Sequence, residues 1–169
     1  MAPDSASHPA SAGAPEVASV CAPRFALPTA SAPSPIGDRA GILRYTLLLP
    51  AATSSNNTIK GMHYRAYQKT RQGWRLMVLA ALKGVRPAAP IQRSRLVIVR
   101  HSAGFLDWDN ALGGLKPLLD CLVSASTRNP DGLGLVTNDD PSAMPFAPLM
   151  RQEKCKRGQG HTECFIYEL

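Results

Sequence analysis

The chain has 169 residues, of which 44% are hydrophobic and 18% charged, and 19 Lys+Arg against 12 Asp+Glu give a net charge of +7. This is enough chain for one domain with a real core. No apolar run is long enough to cross a bilayer, which argues against a membrane protein.

The charge is unevenly spread. Residues 1–38 hold Asp4, Glu16 and Asp38 against Arg24 alone, so residues 39–169 carry +9. Five of the acids in that basic body are Asp107, Asp109, Asp120, Asp139 and Asp140. A basic surface with gathered carboxylates suits a polyanionic partner and a cation held between the two.

Residues 1–38 are rich in Ala, Pro and Ser. They lack the apolar periodicity that offsets the entropy of ordering a chain, and are expected to be a disordered tail. They also lack the basic start and apolar stretch of a secretory signal. Residues 39–169 are expected to form one domain.

That domain reads as α+β, a mixed β-sheet with flanking helices. Residues 41–49 (GILRYTLLL) predict a strand, and 50–60 (PAATSSNNTIK) a loop. Residues 62–83 predict an amphipathic helix, and 94–101 (SRLVIVRH) a buried strand. Asp107 and Asp109 follow. On extended backbone, residues two apart project together, so these carboxylates are expected to share one side with Trp108 pointing away into the core. Gly113 and Gly114 predict a turn. Pro117 is favoured only in the first turn of a helix, so a helix should begin near Lys116 and run to about Ser126. Residues 134–137 predict a short strand and 138–141 a turn. Two last strands, near 144–153 and 162–168, should be joined as a hairpin by KCKRGQGH.

The four cysteines are Cys21, Cys121, Cys155 and Cys164. Without a secretory signal, reduced thiols are the default. Cys121 lies in an apolar run and reads as a small buried hydrophobe. Cys155 and Cys164 would face each other across the hairpin. With His161 they make three zinc-type donors, one short of a closed structural site.

Asp107 and Asp109 repel unless a cation lies between them. Magnesium takes oxygen ligands and keeps some waters, so a third carboxylate is needed, with Asp140 or Asp139 the candidate. An EF-hand reading fails, because Ala111 occupies the fifth position and no Gly follows at the sixth. Lys116, at the mouth of an apolar helix, is placed to neutralise charge on a phosphoryl group. Lys60, Arg65, Lys69, Arg71, Arg75, Lys154, Lys156 and Arg157 are candidate phosphate contacts, of the kind that position a duplex without reading bases. Phe105 or Trp108 would be able to stack on an exposed base, although core burial is the ordinary fate of Trp108.

The order L-P-A-A-T-S-S-N-N (49–57), D-W-D-N (107–110), G-G-L-K-P-L-L-D (113–120) and N-D-D-P (138–141) resembles the RusA family of Holliday-junction resolvases, especially the versions carried by phages and prophages. The resemblance spans residues 43–169. It implies an α+β homodimeric endonuclease that uses Mg²⁺ and cuts four-way DNA junctions by paired symmetric nicks. Metal-binding aspartates would fall on Asp107, Asp109 and Asp140, and the catalytic lysine on Lys116. Asp120 matches a recurring acid that caps or braces the site. A cytoplasmic protein of bacterial or phage origin follows from the same likeness. Members can carry an arginine cluster before the first aspartate, where this chain has only Arg100 and His101. Two alternatives share these residues: a nuclease for forks or flaps, and a DNA-binding module without catalysis.

Overall fold

The computed structural model describes residues 41–169, and the expected tail at 1–38 lies outside them. The described elements are β1 (Ile42–Leu49), α1 (Asn56–Lys60), α2 (Tyr64–Ala81), β2 (Ser94–Ser102), α3 (Trp108–Gly113), α4 (Lys116–Leu122), β3 (Leu149–Lys154) and β4 (His161–Glu168). Together they make a compact α+β fold around one mixed four-stranded sheet. None of the described helices is long and apolar enough to cross a membrane.

The sheet order is β1-β4-β2-β3. Strand β4 runs antiparallel to both β1 and β2, whereas β2 and β3 are parallel. Alternate residues point to opposite faces. One face carries Leu47, Leu49, Leu96, Ile98, Met150, Cys164 and Ile166 into the main core. There they meet Trp74 and Val78 of α2 and Leu115, Leu118, Cys121 and Leu122 around α4. The other face buries a smaller cluster of Val97, Val99, Phe165 and Tyr167. Because both faces of β2 are covered, its residues read as a nearly unbroken apolar run.

Several sequence expectations are corrected. Residues 50–60 are not all loop. The Ser55 hydroxyl accepts the Thr58 N–H at 3.2 Å and caps the short helix α1. The last two strands are not a hairpin. Strand β2 lies between them, so residues 155–160 cross the end of β2 instead of turning back on β3. Cys155 and Cys164 therefore do not face each other, and Cys121, Cys155 and Cys164 are all free thiols. Residues 134–137 form no strand of their own. Val136 makes single bridges to Ile91 and Val123. The bridge to Val123 also stops α4 at Leu122, short of the expected Ser126, because Val123 must turn extended to make it.

Gly113 and Gly114 do not form a free turn. Gly113 closes α3 and Gly114 caps it in ordinary helical conformation. Their lack of a side chain is needed for close approach. A Cβ on Gly114 would lie 1.8 Å from the Ser54 carbonyl oxygen, and one on Gly113 would lie 2.3 Å from Asn56 Cγ. The L-P-A-A-T-S-S-N-N segment thus packs directly on the end of α3. Gly114→Ala should destabilise the fold by about 1–3 kcal/mol or more, because the obstruction is backbone. Gly73→Ala, in mid-α2 with nothing within 4 Å of the new Cβ, should instead stabilise by about 0.5–1 kcal/mol. Urea melts of both variants beside the parent check the pair.

Candidate active site on helices α3 and α4

The D-W-D-N segment is positioned by two side chains from the sheet. Arg100 is buried at the end of β2. Its Nε donates to the Thr53 carbonyl at 3.0 Å, and its Nη1 donates to the Gly104 carbonyl at 3.1 Å and to the Ser102 hydroxyl. Burial lowers its pKa from the ordinary arginine value. Gln152 of β3 completes the hold. Its amide accepts the Leu106 N–H at 2.9 Å and donates to the Leu106 carbonyl at 2.7 Å. The residue just before Asp107 is therefore clamped at both backbone groups.

Asp107 then caps α3 by position, with extended backbone and no side-chain capping bond. Asp109 sits in the first helical turn. The extended D-x-D arrangement expected from sequence gives way to a helix start. Both aspartates are exposed, and among the described residues no side-chain hydrogen bond or ion pair engages either. Asn110, in the same turn, buries its Oδ1 without a hydrogen-bond partner. Trp108 is 61% exposed, against the expectation of core burial, and Phe105 is exposed with Lys154 Nζ 5.2 Å from its ring centroid.

Lys116 begins α4 as expected. Its Nζ lies 2.8 Å from Asp120 Oδ1, one helical turn on, and donates to Asp139 Oδ2 at 2.9 Å. Burial alone would lower its pKa, but the bonds to Asp120 and Asp139 outweigh it and push the ammonium up to about 12. Asp120 is in turn braced by Tyr67 of α2, whose hydroxyl donates to Oδ2 at 2.8 Å. Burial first, then that bond, pushes the Tyr67 phenol up to about 12. Tyr67, Asp120, Lys116 and Asp139 form one connected network that the sequence did not indicate beyond the bracing role of Asp120.

Asp140 turns away from this network. Its Oδ1 accepts from the Ser142 N–H at 2.9 Å, the Ser142 hydroxyl and the Ala143 N–H at 3.1 Å, while Oδ2 accepts from Asn138. The Ser142 hydroxyl is the main cause of its depressed pKa, followed by the Ala143 N–H. The oxygen chemistry of a hard cation fits Asp107, Asp109 and Asn110, which have unengaged oxygens. Asp140 does not join them: among the described residues Asp107, Asp109 and Asp140 are not gathered into one set of ligand atoms, and Asn138 donates to Asp140 Oδ2.

Of the proposed phosphate contacts, Lys60, Arg65, Lys69, Lys154, Lys156 and Arg157 are exposed. Arg65 and Lys69 lie one turn apart on α2. Arg75 is half-buried. Arg71 differs from expectation. Its guanidinium is buried, bonds Asn129 Oδ1 and lies 3.6 Å from Asp131 Oδ2, so it holds the turn after α4. The structure also gathers a set that the sequence reading passed over. His101, His161 and Glu163 bring ligand atoms within 4.8 Å of one another. Only the H-x-E spacing on β4 hinted at half of it.

No family model matches the chain, and no curated protein matches it either.

Arg100→Met orphans the Thr53 carbonyl, while the Gly104 carbonyl keeps the Ser102 hydroxyl, and should cost about 1–3 kcal/mol in a denaturant melt. Tyr67→Phe removes a hydrogen bond to a carboxylate and should cost on the order of 1.5 kcal/mol. The phenol's raised pKa adds a pH signature to the second. Its contribution is complete below pH 10.0 and is lost as pH rises toward about 12. The Tyr67→Phe variant should therefore lose less stability than the parent across that window.

Proposed function

We propose that the chain is a magnesium-dependent, structure-specific endodeoxyribonuclease of RusA type that resolves four-way DNA junctions as a homodimer. The observation that carries this reading is the setting of Lys116. A fixed ammonium, held by Asp120 and Asp139, stands one short helix away from two carboxylates with no partner of their own. Purely structural acids in a chain of +7 would be expected to pair with its many bases.

An ammonium has three donors, and two of those on Lys116 are engaged. The third remains for a phosphoryl oxygen, where fixed positive charge stabilises the transition state. With a pKa of about 12, Lys116 stays cationic at neutral pH and is unsuited to act as a general base. Asp107 and Asp109 would hold Mg²⁺, which supplies an activated water and stabilises the leaving 3′ oxygen. Exposed Lys60, Arg65 and Lys69, with Lys154, Lys156 and Arg157, would grip the phosphates of the arms. A dimer suits the near two-fold symmetry of a junction. One observation favours the second reading, a DNA-binding module without catalysis: the four hydrogen bonds that already occupy Asp140.

The test is cleavage of a labelled four-way junction beside a linear duplex, a fork and a flap, with Mg²⁺ and with EDTA. Paired nicks on the junction alone, only with Mg²⁺, are expected. Asp107→Asn and Asp109→Asn should abolish cutting while keeping junction binding, and Lys116→Ala should slow it roughly 10²-fold. Preferred cutting of forks or flaps would reassign the substrate. Binding without any cutting would establish the non-catalytic module.

A further inference from the structure

Away from the aspartates, three strands bring a different kind of donor together. His101 of β2 lies directly opposite His161 of β4, and opposite Glu153 of β3 on its other side. Glu163 is two residues on from His161 and so shares its face. The two imidazoles stack with centroids 4.0 Å apart and planes 7° from parallel. His101 Nδ1 lies 3.6 Å from Glu153 Oε2, and its Nε2 lies 3.5 Å from Glu163 Oε1. The side chains of His101 and Glu163 are 13% and 15% exposed.

Two features go beyond a chance meeting of side chains. His101 Nε2 is buried with no hydrogen-bond partner, which a native core rarely tolerates without a reason. His161 Nδ1 lies 2.9 Å from the Gln159 carbonyl. A carbonyl only accepts, so Nδ1 carries the proton and Nε2 is left with its lone pair. This is the arrangement by which backbone groups orient ligating histidines.

We infer that His101, His161 and Glu163 form a binding site for a borderline divalent cation of the zinc class, with water completing the shell and Glu153 at His101 Nδ1 orienting that ring. Two imidazoles and a carboxylate match that chemistry and are a poor match for magnesium. Tetrahedral ligands about 2.0–2.1 Å from zinc lie about 3.3 Å apart, closer than the 4.8 Å spread here. Binding must therefore draw the side chains in by rotation and open the ring stack, since each lone pair lies in its own ring plane. The ion would tie β2 to β4 where the basic 155–160 crossover enters β4. The inference does not depend on the nuclease reading, because none of its ligands is among the aspartates.

The experiment strips the full chain with EDTA and titrates it with Co²⁺, followed by absorption, then displaces Co²⁺ with Zn²⁺. One equivalent is expected, with a visible ligand-field band and no thiolate charge-transfer band. His161→Ala and Glu163→Gln should each weaken binding about 10-fold or more, whereas the Asp107→Asn/Asp109→Asn double variant should leave it unchanged. In the parent, stoichiometric Zn²⁺ should shift the ring signals of two of the four histidines. Absence of a stoichiometric site, a thiolate band, unshifted rings, or full binding in His161→Ala would overturn the site. The last two would leave only a metal-free histidine–carboxylate cluster.

Discussion

A guanidinium buried at the end of the central strand cannot be left without acceptors, and the arrangement of the candidate active site follows from how Arg100 finds them. It has no carboxylate partner. It takes the Thr53 carbonyl from the chain leading into α1 and the Gly104 carbonyl from the chain leading into α3. Without Arg100 the Thr53 carbonyl would lose this donor, whereas the Gly104 carbonyl is shared with the Ser102 hydroxyl. The same charge therefore fixes both segments that carry the quoted motifs. Gln152 adds the second constraint on Leu106, from the neighbouring strand β3. Burial gives Arg100 this internal task.

The sheet order explains why one strand end carries so much. With β2 between β3 and β4, three chain segments reach the same end of the sheet. These are the Arg100–Gly104 exit, the Lys154–Arg157 crossover and the start of β4. A hairpin between β3 and β4 would have removed the crossover from this end. It would also have separated His101 from His161, which are paired only because β4 adds to β2. Lys154 stands over Phe105 through the same proximity. Basic residues, an exposed aromatic pair and the unpaired aspartates are thereby drawn from well-separated parts of the sequence.

What was legible in the sequence was local. The strand at 41–49, the long helix, the buried strand at 94–101 and the helix start at Lys116 all rest on periodicity or on a proline, and each holds in the structure. The errors share a cause. The helix start at Asp107, the Ser55 cap and the early end of α4 depend on backbone partners. Large aromatic residues usually lie in the core, but the helix turns Trp108 outward. The sheet order depends on pairing between strands far apart in sequence. Charge arithmetic identified the five aspartates without saying which would pair. Asp139, the less favoured of the two adjacent acids, takes Lys116, while Asp140 is absorbed by its own turn.

That division of labour bears on how a hard cation and a fixed ammonium can coexist. A lysine free to swing is one more cation able to compensate exposed carboxylates. Asp120 and Asp139 prevent this by holding the ammonium at about 3 Å, and Tyr67 holds Asp120 in turn. The cost is two carboxylates committed to one lysine. The result is that the D-x-D pair keeps its charge uncompensated at a helix start, in a protein whose net charge would otherwise supply a partner. Restraining the cationic side chain, more than concentrating acids, is what keeps the proposed metal and phosphate roles compatible. The histidine cluster keeps its own distinct chemistry at the sheet's end by the same means, since strand pairing and not charge attraction determines where its donors stand.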